Sequence, residues 1–320
     1  IFCHVPQYDT IEKAFFYSFQ MPFFFFVSGF LHKRVDILSE RFHKYWKTLL
    51  IPYFIFQIIY YPYYLVQNVL QDGRDIHNIL DWGIEPLIET IIGLLLNGPT
   101  WFIFSLFIMK AIIDLGHKEK NQFVYLLLFL CTSFIISYLF IMKDDSIKIS
   151  FCIDGTAKYM PYFILGQIFK LKFSKQMRNT SNRYILLSLS ILFTIATILA
   201  LEMIRCGTIN SNYILYYCIA ALGTSSVILF CKFINKSPDL IKIISSGTIV
   251  ILGTHWMFIG FINFVVEKAF VIQAVKYSTL VATIVVLFIT FVNYFIIKFC
   301  MKHFTIILGG RHTNKKKYDN

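Results

Sequence analysis

Apolar positions in this chain neither alternate nor keep to one helical stripe; they continue right around the helix for long stretches. Nine such stretches fall near 14–31, 48–66, 99–115, 123–142, 157–171, 184–204, 213–231, 243–265 and 278–299. Each approaches the roughly 20 residues that a helix needs to cross a bilayer. A helix that is apolar all round is stable only with apolar neighbours on every side. The pattern therefore predicts an all-α fold, a polytopic transmembrane helix bundle with nine full spans. The fifth span is short and is expected to begin earlier than 157. The run PLIETIIGLLLN, 86–97, is too short to cross and reads as an interfacial or re-entrant helix. No internal repeat or soluble domain interrupts the series, so 1–300 is expected to be one integral membrane domain and 301–320 a basic cytoplasmic tail.

Composition removes the alternatives. Of 320 residues, 57% are hydrophobic and 15% charged, against about 25% charged in soluble domains. The first nine residues lack the basic start and cleavage site of a signal peptide. Seven cysteines show no CxxC spacing, and most lie inside apolar runs, which leaves no metal site in prospect. Cys152 and Cys206 both fall in expected outer loops, where a bond between them is conceivable.

Net charge is +12, yet its distribution argues against nucleic acid. The basic residues gather in alternate loops, and one side of the bundle carries 21 of the 30 Lys and Arg. Twelve of the 18 acidic residues lie on the other side. By the positive-inside rule, loop 32–47 and the C-terminus are cytoplasmic. Span 14–31 then runs inward, and residues 5–13 form an outer loop. Residues 1–4 become the last turn of a preceding span, so the chain is expected to be a fragment of a ten-helix protein. His4 would sit at the outer end of that first helix.

Several residues stand out against the apolar background. Pro22, Ser28 and Gly29 interrupt the aromatic run FQMPFFFFVSGF (19–30), and small residues in a membrane helix admit a backbone or a ligand. Arg34, Arg41, Lys44 and Lys47 populate the first cytoplasmic loop. In GPTWFIFSLF (98–107), Pro99 starts a helix and Trp101 lies at its interfacial end. His255 is an ionisable group deep in an apolar span, a functional residue or a hydrogen-bonded structural one. Lys110 and Asp114 are spaced i,i+4 and are expected to pair; Glu202 and Arg205 are expected to form an interfacial pair.

Together these phrases resemble the acyltransferase-3 family of integral membrane O-acyltransferases. The family has a first helix ending in histidine, often Gly-His, and Cys3-His4 fills that place. FQMPFFFFVSGF matches its most specific phrase, Arg41 through Pro52 its arginine loop and proline-marked helix, and Pro99, Trp101, Phe102 and Ile103 its P-x-W-F-L phrase. The family's late Tyr-x-x-His becomes Leu252-Gly253-Thr254-His255 here, without the tyrosine. The arginine that the family places upstream of its first histidine falls before Ile1.

The resemblance implies transfer of an acyl group, most simply acetyl, from acyl-CoA to a hydroxyl of a cell-surface or lipid-linked carbohydrate. It implies a bacterial cytoplasmic membrane, acetyl-CoA as a donor substrate and no bound cofactor. A sugar hydroxyl is a poor nucleophile and needs a base poised near neutral pH, which histidine supplies. His4 takes that role, as general base or as a transient acyl carrier. Arg41, Arg34, Lys44 and Lys47 are the expected contacts for the phosphates of acyl-CoA, arginine having the better geometry. Ser28, Trp101 and His255 are channel or second-site candidates; Trp101 equally suits an aromatic belt. The rival reading is a transporter or flippase for a saccharide or small anion. It expects repeats and midplane charges, whereas the ionisable residues here cluster at the two faces.

Overall fold

The computed structural model describes residues 1–33, 38–70, 73–79, 82–84, 98–115, 122–142, 152–178, 182–210, 212–234, 236–271 and 275–309. These form α1 (Ile11–Leu31), α2 (Leu38–Tyr45), α3 (Ile51–Leu70), α4 (Trp101–Leu115), α5 (Gln122–Met142) and α6 (Ile153–Arg178). After them come α7 (Arg183–Arg205), α8 (Tyr213–Ile234), α9 (Asp239–Ser246), α10 (Thr248–Phe270) and α11 (Thr279–His303). Among the described residues there is no strand. Among the described residues, eight helical segments are long and apolar enough to cross a membrane, and α6 is not one of them. It is more polar than the others but runs 26 residues through the bundle.

Polar caps start several helices. The Thr10 hydroxyl accepts from Lys13 N at α1, Asn182 from Tyr184 N at α7, and Ser278 from Val281 N at α11. Such caps satisfy amide donors that would otherwise be orphaned at the helix start.

Two clusters of helices make the body of the protein. In the first, α6 packs between α1 and α5, burying Phe163 and Ile164 completely. Glycine makes this contact close: a Cβ on Gly29 would strike the Phe163 carbonyl, and one on Gly166 the Phe26 carbonyl. Without a hydrophobic drive between helices in lipid, such backbone approach is what gives the pair its van der Waals contact. In the second cluster, α10 lies against α3 and α11. Phe56 of α3 fills the notch at Gly253, and Thr254 donates to Asn293 Oδ1 at 2.7 Å.

The segment before α1 is tied to this second cluster. Residues 5–8 run extended beside 275–277: Tyr277 N donates to the Pro6 carbonyl at 3.0 Å and Tyr8 N to the Tyr277 carbonyl at 3.3 Å. Val5 packs with Ile259, Val275 and Tyr277.

Helix boundaries differ from expectation where the chain bends. The span expected from 48 belongs to one helical run from Ser39 to Leu70, with a π-helical turn at Trp46–Leu50. The span expected from 243 is split at Gly247: α9 is a separate amphipathic helix with Leu240 and Ile241 exposed, and α10 starts only at Thr248. The fifth span begins at Ile153, earlier than 157. At the far end, Thr305–Leu308 turns back and buries Leu308 against α3 and α10. The stretch 86–97 lies outside the described residues. Cys152 and Cys206 are free thiols, the first buried and the second exposed.

Candidate active site

The ends of α1, α2, α4 and α6 meet at the basic end of the bundle. His32 caps α1, and its backbone leaves the helix in an extended conformation. There its ring Nε2 lies 2.9 Å from Asp114 Oδ1, and the Tyr45 hydroxyl donates to Oδ2 of the same carboxylate. Asp114 stands in the last turn of α4, where the helix dipole disfavours negative charge. Arg41 offsets this, donating from Nη1 to the Asp114 carbonyl at 2.8 Å. Lys170 of α6 donates to the His32 carbonyl. Arg41 and Asp114 are each only 5% exposed. The arrangement is a buried, densely paired polar network.

Beside it opens a cavity of about 340 Å³. Lys33, Lys44, Lys110 and His32 line its polar part, with hydroxyls from Ser28, Thr48, Ser245, Ser246 and Thr248. No acidic side chain is among these lining residues. Further in, the walls become apolar, with Phe24, Phe102, Ile103 and Leu252. The cavity thus offers cations at one end and hydrocarbon at the other. That suits a polyanion carrying an apolar tip.

Leu252 lies one turn before His255 on α10, and the second site begins there. His255 is seven residues beyond Thr248, about 10 Å along the helix axis. Its neighbour Thr254 meets Asn293, itself about 21 Å from the start of α11, so His255 lies deep in the bundle. The ring is 2% exposed, and Nδ1 sits 2.8 Å from the Ile251 carbonyl. A carbonyl only accepts, so Nδ1 carries the proton and Nε2 presents a lone pair. That Nε2 is buried and has no hydrogen-bond partner among the described residues.

His4 closes this site. Its ring centroid lies 5.2 Å from that of His255, and 6.2 Å from Trp256 in an edge-on arrangement. His4 itself is exposed, and as a neutral imidazole it is able to accept a proton. Nearby, Gln57 donates to the Thr100 hydroxyl at 2.8 Å, both residues buried, and Gly98 lies against the Trp256 ring.

The residues singled out from sequence are distributed unevenly. His4 and His255, 251 positions apart, come together. His4 is the last residue of the helical turn Phe2–His4, and its ring lies beside His255 of α10. Ser28 and Lys44 line the cavity. Lys47 is exposed and is not among the lining residues, and Arg34 lies outside the described residues. Arg41 is buried in the Asp114 network, away from the cavity lining. Trp101, half-buried at the start of α4, packs among Phe25, Tyr159 and Gly155. Asp114, expected to pair with Lys110, gives its carboxylate to His32 and Tyr45, while Lys110 lies over the Tyr45 ring. Glu202 and Arg205 do pair, at 3.5 Å.

A family model described as an acyltransferase domain matches residues 1–299. The chain belongs to the acyltransferase-3 family. It is a multi-pass membrane acyltransferase. No curated protein and no solved structure matches it. In this acyltransferase, His32, Asp114, Lys33 and Lys110 are the site residues that sequence reasoning did not assign. His32 stands two positions beyond the VSGF phrase (27–30), and that proximity was the available signal.

Proposed function

We propose that this acyltransferase moves a short acyl group, acetyl in the simplest case, from cytoplasmic acyl-CoA to a carbohydrate hydroxyl, with His4 as general base. The observation that carries the reading is the His4–His255 pair, one turn of α10 beyond Leu252, itself a lining residue of the lysine-bearing cavity. A coenzyme A headgroup meets Lys33, Lys44 and Lys110 at the basic end, which the positive-inside rule assigns to the cytoplasm. The acyl arm follows the apolar wall past Phe102 toward Leu252. An acceptor hydroxyl enters beside His4.

The hydroxyl oxygen attacks the thioester carbonyl while His4 takes the hydroxyl proton, and the C–S bond then breaks as the tetrahedral intermediate collapses. The imidazolium formed on His4 donates toward His255 Nε2, whose lone pair is fixed by the Nδ1–H to Ile251 bond. The departing thiolate takes the proton back from His4. A modest rotation of either ring from the 5.2 Å separation makes that hydrogen bond, in keeping with apo sites that tighten on binding substrate.

The test uses inside-out vesicles carrying wild type or His4→Ala, supplied with radiolabelled acetyl-CoA and scored for label in extractable glycan. Transfer by wild type that vanishes in the variant, at equal expression, supports the reading. Equal transfer by both removes His4 from the chemistry.

A further inference from the structure

We propose that the His32–Asp114 pair belongs to donor recognition: Asp114 holds the His32 imidazole at the cavity wall, where its second ring nitrogen contacts a phosphate of acyl-CoA. This rests on the donor reading above and adds a ligand contact and a positioning residue to it.

Three observations converge. His32 is a cavity-lining residue whose side chain is only 6% exposed. A long-range pairing, 82 positions apart in sequence, fixes its orientation. Asp114 accepts the Nε2–H, so Nδ1 is the nitrogen left for a ligand; it donates to a phosphate as the imidazolium, the form that the Asp114 carboxylate and an arriving phosphate both favour, and no described residue is hydrogen-bonded to it. The groups around the ring are cationic or neutral apart from the one carboxylate. Lys33 follows it in the chain, Lys44 and Tyr45 come from α2, Lys110 from α4, and Lys170 from α6.

Asp114 itself is not among the cavity-lining residues. It works from behind the wall and sets two of its components. One is His32, directly. The other is Tyr45, whose hydroxyl it accepts and over whose ring Lys110 lies at 5.7 Å. A purely structural ion pair has no need to turn an imidazole toward a cation-lined hollow. A phosphate site does, because a fixed donor among flexible lysines supplies the geometry that point charges lack.

The experiment titrates the detergent-solubilised full chain with coenzyme A and, separately, with pantetheine, which has no phosphate. Wild type, His32→Gln, Asp114→Asn and His4→Ala are compared, with thermal unfolding as a check on each. His32→Gln is expected to weaken coenzyme A binding by about tenfold, the usual size of one charge-assisted hydrogen bond. Its pantetheine affinity should stay within about twofold. Asp114→Asn should behave in the same direction, and His4→Ala should bind both ligands as wild type does.

Equal losses for both ligands in His32→Gln would mean a structural role and overturn the proposal. So would wild-type coenzyme A affinity in that variant, with the donor reading left standing. Failure of wild type itself to bind coenzyme A would remove the donor reading and this inference together. If Asp114→Asn does not fold, the selective effect of His32→Gln still decides the matter.

Discussion

The two polar sites of this bundle are built in opposite ways. At the basic end, the Asp114 carboxylate is shared by His32 and Tyr45, and Arg41 grips its carbonyl. At the deep end, His255 is fixed through Nδ1 and presents an Nε2 with no described partner. A buried acceptor left in that state carries a desolvation cost of about 1–3 kcal/mol. Folding gains nothing from such an atom, so its retention fits reactivity. The paired network, by contrast, is what a binding wall needs: rigid, and set before the ligand arrives.

If this contrast is right, disturbing the unmatched site removes activity and spares the fold. His255→Ala is expected to lower kcat about 10²- to 10⁴-fold, the range for losing a participant in proton transfer. Its unfolding midpoint should match wild type. A variant with normal turnover, or one that unfolds, would erase the distinction.

Disturbing the paired site does the reverse. Arg41→Ala strips a buried donor from the end of α4 and is expected to cost about 1.5–3 kcal/mol of stability. Both KM values should then shift together, because Arg41 does not line the cavity. A selective rise in donor KM alone would return Arg41 to the binding site that its position in the sequence had suggested.

A smaller effect belongs to the rim. Lys44→Ala should raise donor KM several-fold at low salt and less at about 0.5 M salt, since exposed charges are screened. Donor KM that does not respond to salt in wild type would argue against a charge-lined entry.

The smallest effect lies along the pH axis. His4 must be neutral to act as base, so kcat/KM should decline along an acid limb as its imidazole is protonated. A kcat/KM that stays flat from about pH 5 to 8 would remove His4 as the base.

Much of the architecture was legible because lipid enforces a simple rule: long apolar runs cross. The ends of α1, α5, α7 and α8 fall within a few residues of those expected. The rule says nothing about bends. Gly247 splits one apolar run into α9 and α10, and only packing against Ile297 reveals why glycine is there. Site residues followed the same division. His4 and His255 were conspicuous as polar atoms in apolar text, but their meeting is a tertiary fact. Asp114 was assigned to Lys110 because i,i+4 is the only partnership sequence can see; its true partners stand 82 and 69 positions away. Trp101 was read as either a channel wall or an aromatic-belt residue, and only the structure shows that Gly155 on α6 makes room for its ring.

The split at Gly247 also joins the cavity to its surroundings. Helix α9 bares Leu240 and Ile241 on one side and carries Ser245 and Ser246 to the cavity rim. An amphipathic helix of this kind takes its height from the bilayer surface. One wall of the pocket is thus carried by a helix whose bare apolar side is suited to lipid, and the others by protein. Membrane thickness is then expected to act on the shape of the pocket, with affinities that differ between micelles and bilayers.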